Sequence, residues 1–199
     1  MKNPCKQVLI AAAMSVAVAV PQLVSAEATT VTGAGTLNAN ARVDFRVVIP
    51  GVLRFRVGSP AAGIDLIDFA PTSANLGDGT DIAATAGSGD LGNGDVTVDV
   101  LSNSGQITIT HDSNGAVLSD GTGNTIPYTE ILTASSDVAN LDAPVLGTAS
   151  STQPTLTGSL TNESATWTYT YDNTFAYNSG IYGGVNTNGG RVTYTASSP

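Results

Sequence analysis

Every odd-numbered residue from Val31 to Val57 is apolar or glycine, while the even positions are mostly Thr, Asn, Arg and Asp. The odd series begins Val31, Gly33, Gly35, Leu37, Ala39 and Ala41, then turns bulky with Val43, Phe45, Val47 and Ile49. A period of two sends successive side chains to opposite faces, so the pattern is that of β-strand with one apolar face. At roughly 3.3 Å per residue the stretch would run about 86 Å, twice the roughly 40 Å breadth of a compact domain of this length. It therefore either folds back, with Pro50-Gly51 as the natural corner, or projects beyond its own domain.

The residues ahead of this stretch read as an export signal. Lys2 and Lys6 supply positive charge, Val8 to Val20 is apolar, and Val24-Ser25-Ala26 is a small-residue cleavage site. The apolar run is shorter than the roughly 20 residues a membrane span needs. Residues 1–26 are thus expected to leave as a signal peptide, taking Cys5 with them. The 173 residues that remain contain no cysteine, so stability has to come from a core rather than from disulfides. One domain, 41–199, preceded by an arm, 27–40, is the expected organisation.

Both lysines lie in the signal, which leaves five arginines against sixteen acids, a net charge of −11. So acidic a surface repels nucleic acid and anionic lipid. The absence of lysine also excludes Schiff-base chemistry and amide cross-links that consume a lysine amine. Four of the five arginines, Arg42, Arg46, Arg54 and Arg56, lie in the alternating stretch.

Beyond it, strands are expected over 96–101, 106–111, 116–119, 126–133, 155–160, 165–171 and 191–196. Turn pairs such as Asn114-Gly115, Asp120-Gly121 and Asn188-Gly189 separate several of them. Residues 75–95, rich in Gly, Asp and Ala, read as a long surface loop. No helical periodicity is sustained over three turns, so the class is all-β, a sandwich or a barrel. Within the opening stretch, 42–49 and 52–57 read as core strands bent near Pro50. Residues 31–41 keep the same phase with small side chains and read as a strand able to complete another sheet, or as a frayed terminus with no partner.

Few residues suggest chemistry. His111 is the single histidine, and no nucleophile-elbow motif accompanies it. One histidine without cysteine cannot build a zinc site. Gly77-Asp78-Gly79-Thr80-Asp81 resembles part of a calcium-binding nonapeptide, which makes Asp78 and Asp81 weak calcium candidates, yet Leu76 stands where the preceding glycine belongs. Trp167, Tyr169 and Tyr171 alternate on one strand face, a pattern of core packing or of a sugar-stacking platform. No catalytic residue, metal or cofactor is expected.

Near the C-terminus, Ser179-Gly180-Ile181-Tyr182-Gly183 followed by Arg191-Val192-Thr193-Tyr194-Thr195-Ala196 resembles the closing strands of pilin-like secreted β-sandwiches. These are the chaperone-usher fimbrial subunits and the related spore-coat-U-like proteins. The resemblance implies an immunoglobulin-like antiparallel sandwich that lacks a strand, a periplasmic chaperone during export, and completion by the N-terminal arm of a neighbouring copy at the cell surface. It implies Val31, Gly33, Gly35, Leu37 and Ala39 as the inserted side chains. The chain departs from the pattern in lacking a disulfide and in ending Ser197-Ser198-Pro199, with Tyr194 further in. The function expected is that of a secreted structural subunit of a fibre or biofilm matrix, with a self-contained adhesion or carbohydrate-binding module as the alternative.

Overall fold

Val96, Val98 and Val100 alternate with Asp95, Thr97 and Asp99, and that alternation places the central strand of the fold. The structure, a computed structural model, describes residues 28–60, 63–113 and 115–199. The expected signal peptide lies outside them. The chain divides into two units, 1–48 and 49–199.

The second unit is all-β and antiparallel. Its strands are β1 (Leu53–Val57), β2 (Ile82–Ala83), β3 (Asp95–Ser102), β4 (Thr108–His111), β5 (Val117–Ser119), β6 (Thr125–Pro127), β7 (Ile131–Ser135), β8 (Ser151–Thr152), β9 (Thr161–Tyr171) and β10 (Tyr194–Ser197). A 3-10 turn, Tyr128–Glu130, interrupts them. One sheet runs β1-β3-β9-β2 with β7 also on β9, a second runs β10-β4-β8, and β5-β6 is a separate hairpin. No described helix is long and apolar enough to cross a membrane.

The register of β3 on β9 sets Val96 opposite Trp167 and Val98 opposite Ala165. The apolar faces of both strands thereby coincide, which is what fixes register when one face is buried. Trp167 is 0% exposed, its ring centroid 5.3 Å from that of Tyr194 on the other sheet. Its indole Nε1–H donates to the Leu141 carbonyl at 3.2 Å, and the Tyr169 and Tyr194 hydroxyls meet at 2.8 Å. Burial pushes Tyr169 up to about 12 and holds Tyr194 well above its ordinary value. Both phenols therefore stay neutral and serve as hydrogen-bonding groups between the sheets.

Four expectations need correction. The stretch 42–49 is not a core strand: no residue from 28 to 52 belongs to a helix or strand. Sheet pairing starts only at Leu53, after Pro50, which has no N–H to offer a ladder. The corner is pinned instead by Asn103, whose amide donates to the Pro50 carbonyl at 2.9 Å and accepts from Val52 N–H at 2.7 Å. The expected strand 126–133 is broken by the turn at Tyr128–Glu130. Leaving the ladder there lets the Tyr128 hydroxyl donate to the Gly189 carbonyl at 2.6 Å while Ile126, Tyr128 and Ile131 are all buried.

Residues 155–160 make only a bridge between Thr157 and Leu160 around Gly158, at φ 65°, and β9 takes over from Thr161. The segment 75–95 is more tied down than a surface loop. Ile82 is buried and pairs with Tyr171. The fully buried Asn173 accepts from Gly77 N–H at 3.0 Å and donates to the Asn75 carbonyl. At Gly94, φ 87°, a Cβ would stand 2.6 Å from the Tyr169 carbonyl, so only glycine fits where that turn meets β9.

Candidate assembly surface

Several of the most exposed large apolar side chains among the described residues lie close together along the alternating stretch. Val43 is 72% exposed, Phe45 91%, Val47 83% and Ile49 76%, while Val31 and Leu37 are 40% and 49% exposed. Scattered apolar residues on a surface are ordinary, but a contiguous set is a mark of an interaction site. The set lies on one face of a period-two pattern. It is the kind of segment that pairs with a sheet edge through its backbone and with pockets through alternate side chains. Of the arm positions expected to insert, Val31, Gly33, Gly35, Leu37 and Ala39 are all exposed. The bulkier positions 43 to 49 continue that exposed stretch along the chain.

Among the described residues, β1 has β3 as its sole partner and β10 has β4. Each turns apolar residues inward, Phe55 and Val57 from β1 and Tyr194 and Ala196 from β10, all partly buried against the core. Their outer faces differ. β1 presents Arg54 and Arg56, and Arg56 Nε donates to Asp99 Oδ2 at 2.8 Å. The Asp99 carboxyl is held below its ordinary range, first by the Ser164 hydroxyl at 2.7 Å and then by Arg56, against the opposing effect of burial. A shallow recess of about 650 Å³ lies along β1, lined by Arg54, Phe55, Arg56, Ser59, Pro60 and Asp99. Sequence reasoning saw the arginines but not this recess, because Asp99 reaches it only through strand pairing with Arg56, 43 residues away.

The other sequence candidates fall elsewhere. Trp167, Tyr169 and Tyr171 are at most 6% exposed, so the rings are core and offer no face on which a sugar could stack. Asp78 Oδ1 accepts from Thr80 N–H at 2.8 Å and lies 3.3 Å from the Asn173 amide, inside its own turn. No group of three or more His, Cys, Asp or Glu able to hold a metal occurs among the described residues. His111 Nδ1 lies 2.7 Å from the Ser113 hydroxyl. Ser113, however, is 1% exposed, and Asp112 Oδ1 accepts from Thr193 N–H at 2.7 Å instead of orienting the imidazole. The pair fastens β4 to the following turn, and the second ring nitrogen, Nε2, is 3.1 Å from Ser150 Oγ.

One buried acid was missed. Glu130 is 9% exposed and its Oε2 has no hydrogen-bond partner. Burial first, and then the nearby Asp172, push its carboxyl above the ordinary range, opposed by a hydrogen bond from Tyr177. Nothing in the sequence sets it apart from the other acids, because the turn that buries it replaces an expected strand.

No protein-family model matches the chain, no curated protein matches it, and no solved structure matches it.

Proposed function

We propose that the protein is an exported structural subunit that assembles with copies of itself into a surface fibre or matrix, donating its N-terminal arm as a β-strand to a neighbour. The observation that carries this reading is the arm and the stretch that continues it: a segment without strand pairing, exposed from 28 to 52. Residues 31–39, with their small side chains, are the part suited to shallow pockets. The second unit, an immunoglobulin-like sandwich in this reading, keeps β1 and β10 each paired on one side, and an unpaired edge is a template for an added strand.

Head-to-tail donation does not close on itself, so it builds filaments. A self-contained sugar-binding module has less support, since its aromatic platform is core.

Deleting 27–40 tests the proposal. The expected product keeps the far-ultraviolet β signature and cooperative melting of the full chain but sediments as single subunits and forms no fibres in electron micrographs. Truncated protein that assembles as the full chain does would overturn the reading.

A further inference from the structure

Residues 43–47 have a property that strand donation does not use: their pattern is symmetric about Phe45. Val43 and Val47 flank it at two residues, and Asp44 and Arg46 flank it at one. We infer that this segment pairs antiparallel with the same segment of a second copy, on a two-fold axis through Phe45.

In that register each residue i faces residue 90 − i of the other copy. Phe45 meets Phe45, Val43 meets Val47 twice, and Asp44 meets Arg46 twice. Phe45, Val43 and Val47 of both copies fall on one face and both ion pairs on the other, where Val48 also faces Arg42, because directly opposed residues in an antiparallel pair point the same way. A slip of two residues in either direction sets Asp44 on Asp44 or Arg46 on Arg46, and like charges directly opposed are destabilising. Parallel pairing in register opposes like charges at both positions. A slip of four toward the N-terminus brings Arg42 onto Asp44 but leaves Phe45 facing Ala41.

The ends agree with this span. Pro50 has no N–H and stops a ladder just beyond 48, and small polar residues precede Arg42. The structure leaves Val43, Phe45 and Val47 at 72%, 91% and 83% exposure, so the face that pairing would assemble is open to solvent. The contact is isologous and therefore closes on two copies. It differs in kind from head-to-tail donation by residues 31–39 and does not depend on it; in a fibre it would join filaments side by side. A two-stranded ribbon is marginal alone in water, so a covalent trap is the suitable measurement.

The test uses the full chain with Cys5→Ser and Phe45→Cys, mildly oxidised and read on non-reducing gels. Disulfide-linked dimers, joined through position 45 of each copy, are expected. Asp44→Arg or Arg46→Asp, added singly, opposes like charges at two positions and should slow trapping by about tenfold. Mixing the Asp44→Arg protein with the Arg46→Asp protein should restore trapping, as heterodimers alone, and the double variant should restore it as homodimers. Trapping indifferent to charge, or single variants that mixing does not rescue, would overturn the inference. So would copies that associate in sedimentation while the thiol of the Phe45→Cys protein is never trapped, because the segment would then be seated on a body instead. Deleting 27–40 separates the two proposals: loss of fibres with trapping kept leaves the symmetric contact standing, and fibres kept with trapping lost does the reverse.

Discussion

Glu130→Gln should stabilise the protein at neutral pH, and only there. Its carboxyl sits on the Tyr128–Glu130 turn, 9% exposed, with Oε2 unpartnered. Asp172, whose N–H donates to the Glu130 carbonyl at 2.7 Å, adds a second negative charge nearby. A buried polar atom without a partner costs about 1–3 kcal/mol, more when charged. Removing the charge should therefore recover about 1–2 kcal/mol at pH near 7.5, and a domain of this size then melts about 2–8 °C higher.

The sign with pH follows from the direction of the shift. The folded carboxyl titrates above its ordinary 4.5, so folding takes up a proton in that window. The wild-type stability tied to Glu130 is then full below 4.5 and is lost as pH rises through the folded value. Glutamine cannot titrate, so the gap between variant and wild type should be near zero at acid pH and open as pH rises. Paired thermal melts across about pH 4 to 8 read this difference directly, and the contributions of the other acids cancel in it. A gap that is constant with pH, or a variant less stable at neutral pH, would refute the reasoning.

Trp167→Ala removes a fully buried indole and its bond to Leu141 and should cost about 3–5 kcal/mol, read as a lowered urea midpoint; a stable fold would show that the two sheets do not depend on it. Asp99→Asn breaks a pair whose side chains are 30% and 22% exposed, so the loss should stay under about 1 kcal/mol and shrink in high salt. Because the Asp99 carboxyl lies below its ordinary 3.8, its contribution is present above that value and fades as pH falls below it. Phe45→Ser should leave monomer melting within about 0.5 kcal/mol, since 91% of the residue is already exposed, while association between copies weakens. Trypsin finds no lysine or arginine between Arg56 and Arg191, so cleavage should fall first at Arg42 and Arg46, and assembly should protect both sites.

The fold was legible wherever a strand has one wet face. β3 and β9 announce themselves by Val-x-Val-x-Val and Trp-x-Tyr-x-Tyr, because a half-buried sheet demands that period. Where the chain leaves the ladder for a tertiary reason the sequence misleads. Pro127 begins a turn whose purpose is a hydrogen bond from Tyr128 to Gly189, 61 residues away. Asn173 stitches down residues 75 to 78 from nearly a hundred positions further on. The recess at β1 has the same origin, since Arg56 and Asp99 meet only through register. Alternation reports which side chains share a face, but it does not say whether the strand that will cover them belongs to the same molecule.

That last distinction decides how residues 43–49 are to be understood. Fully burying a Val, Ile or Phe side chain is favourable by about 1.5–3 kcal/mol. Leaving four of them, Val43, Phe45, Val47 and Ile49, largely in water forgoes about 6–12 kcal/mol, as much as the whole net stability of an ordinary domain. In the single copy the apolar face of that alternation is left in water. In the proposed two-fold pairing, part of that burial would be spent on lost translational freedom when copies meet, so the pairing would be favoured most between subunits already held close, with the Asp44 and Arg46 symmetry setting its register.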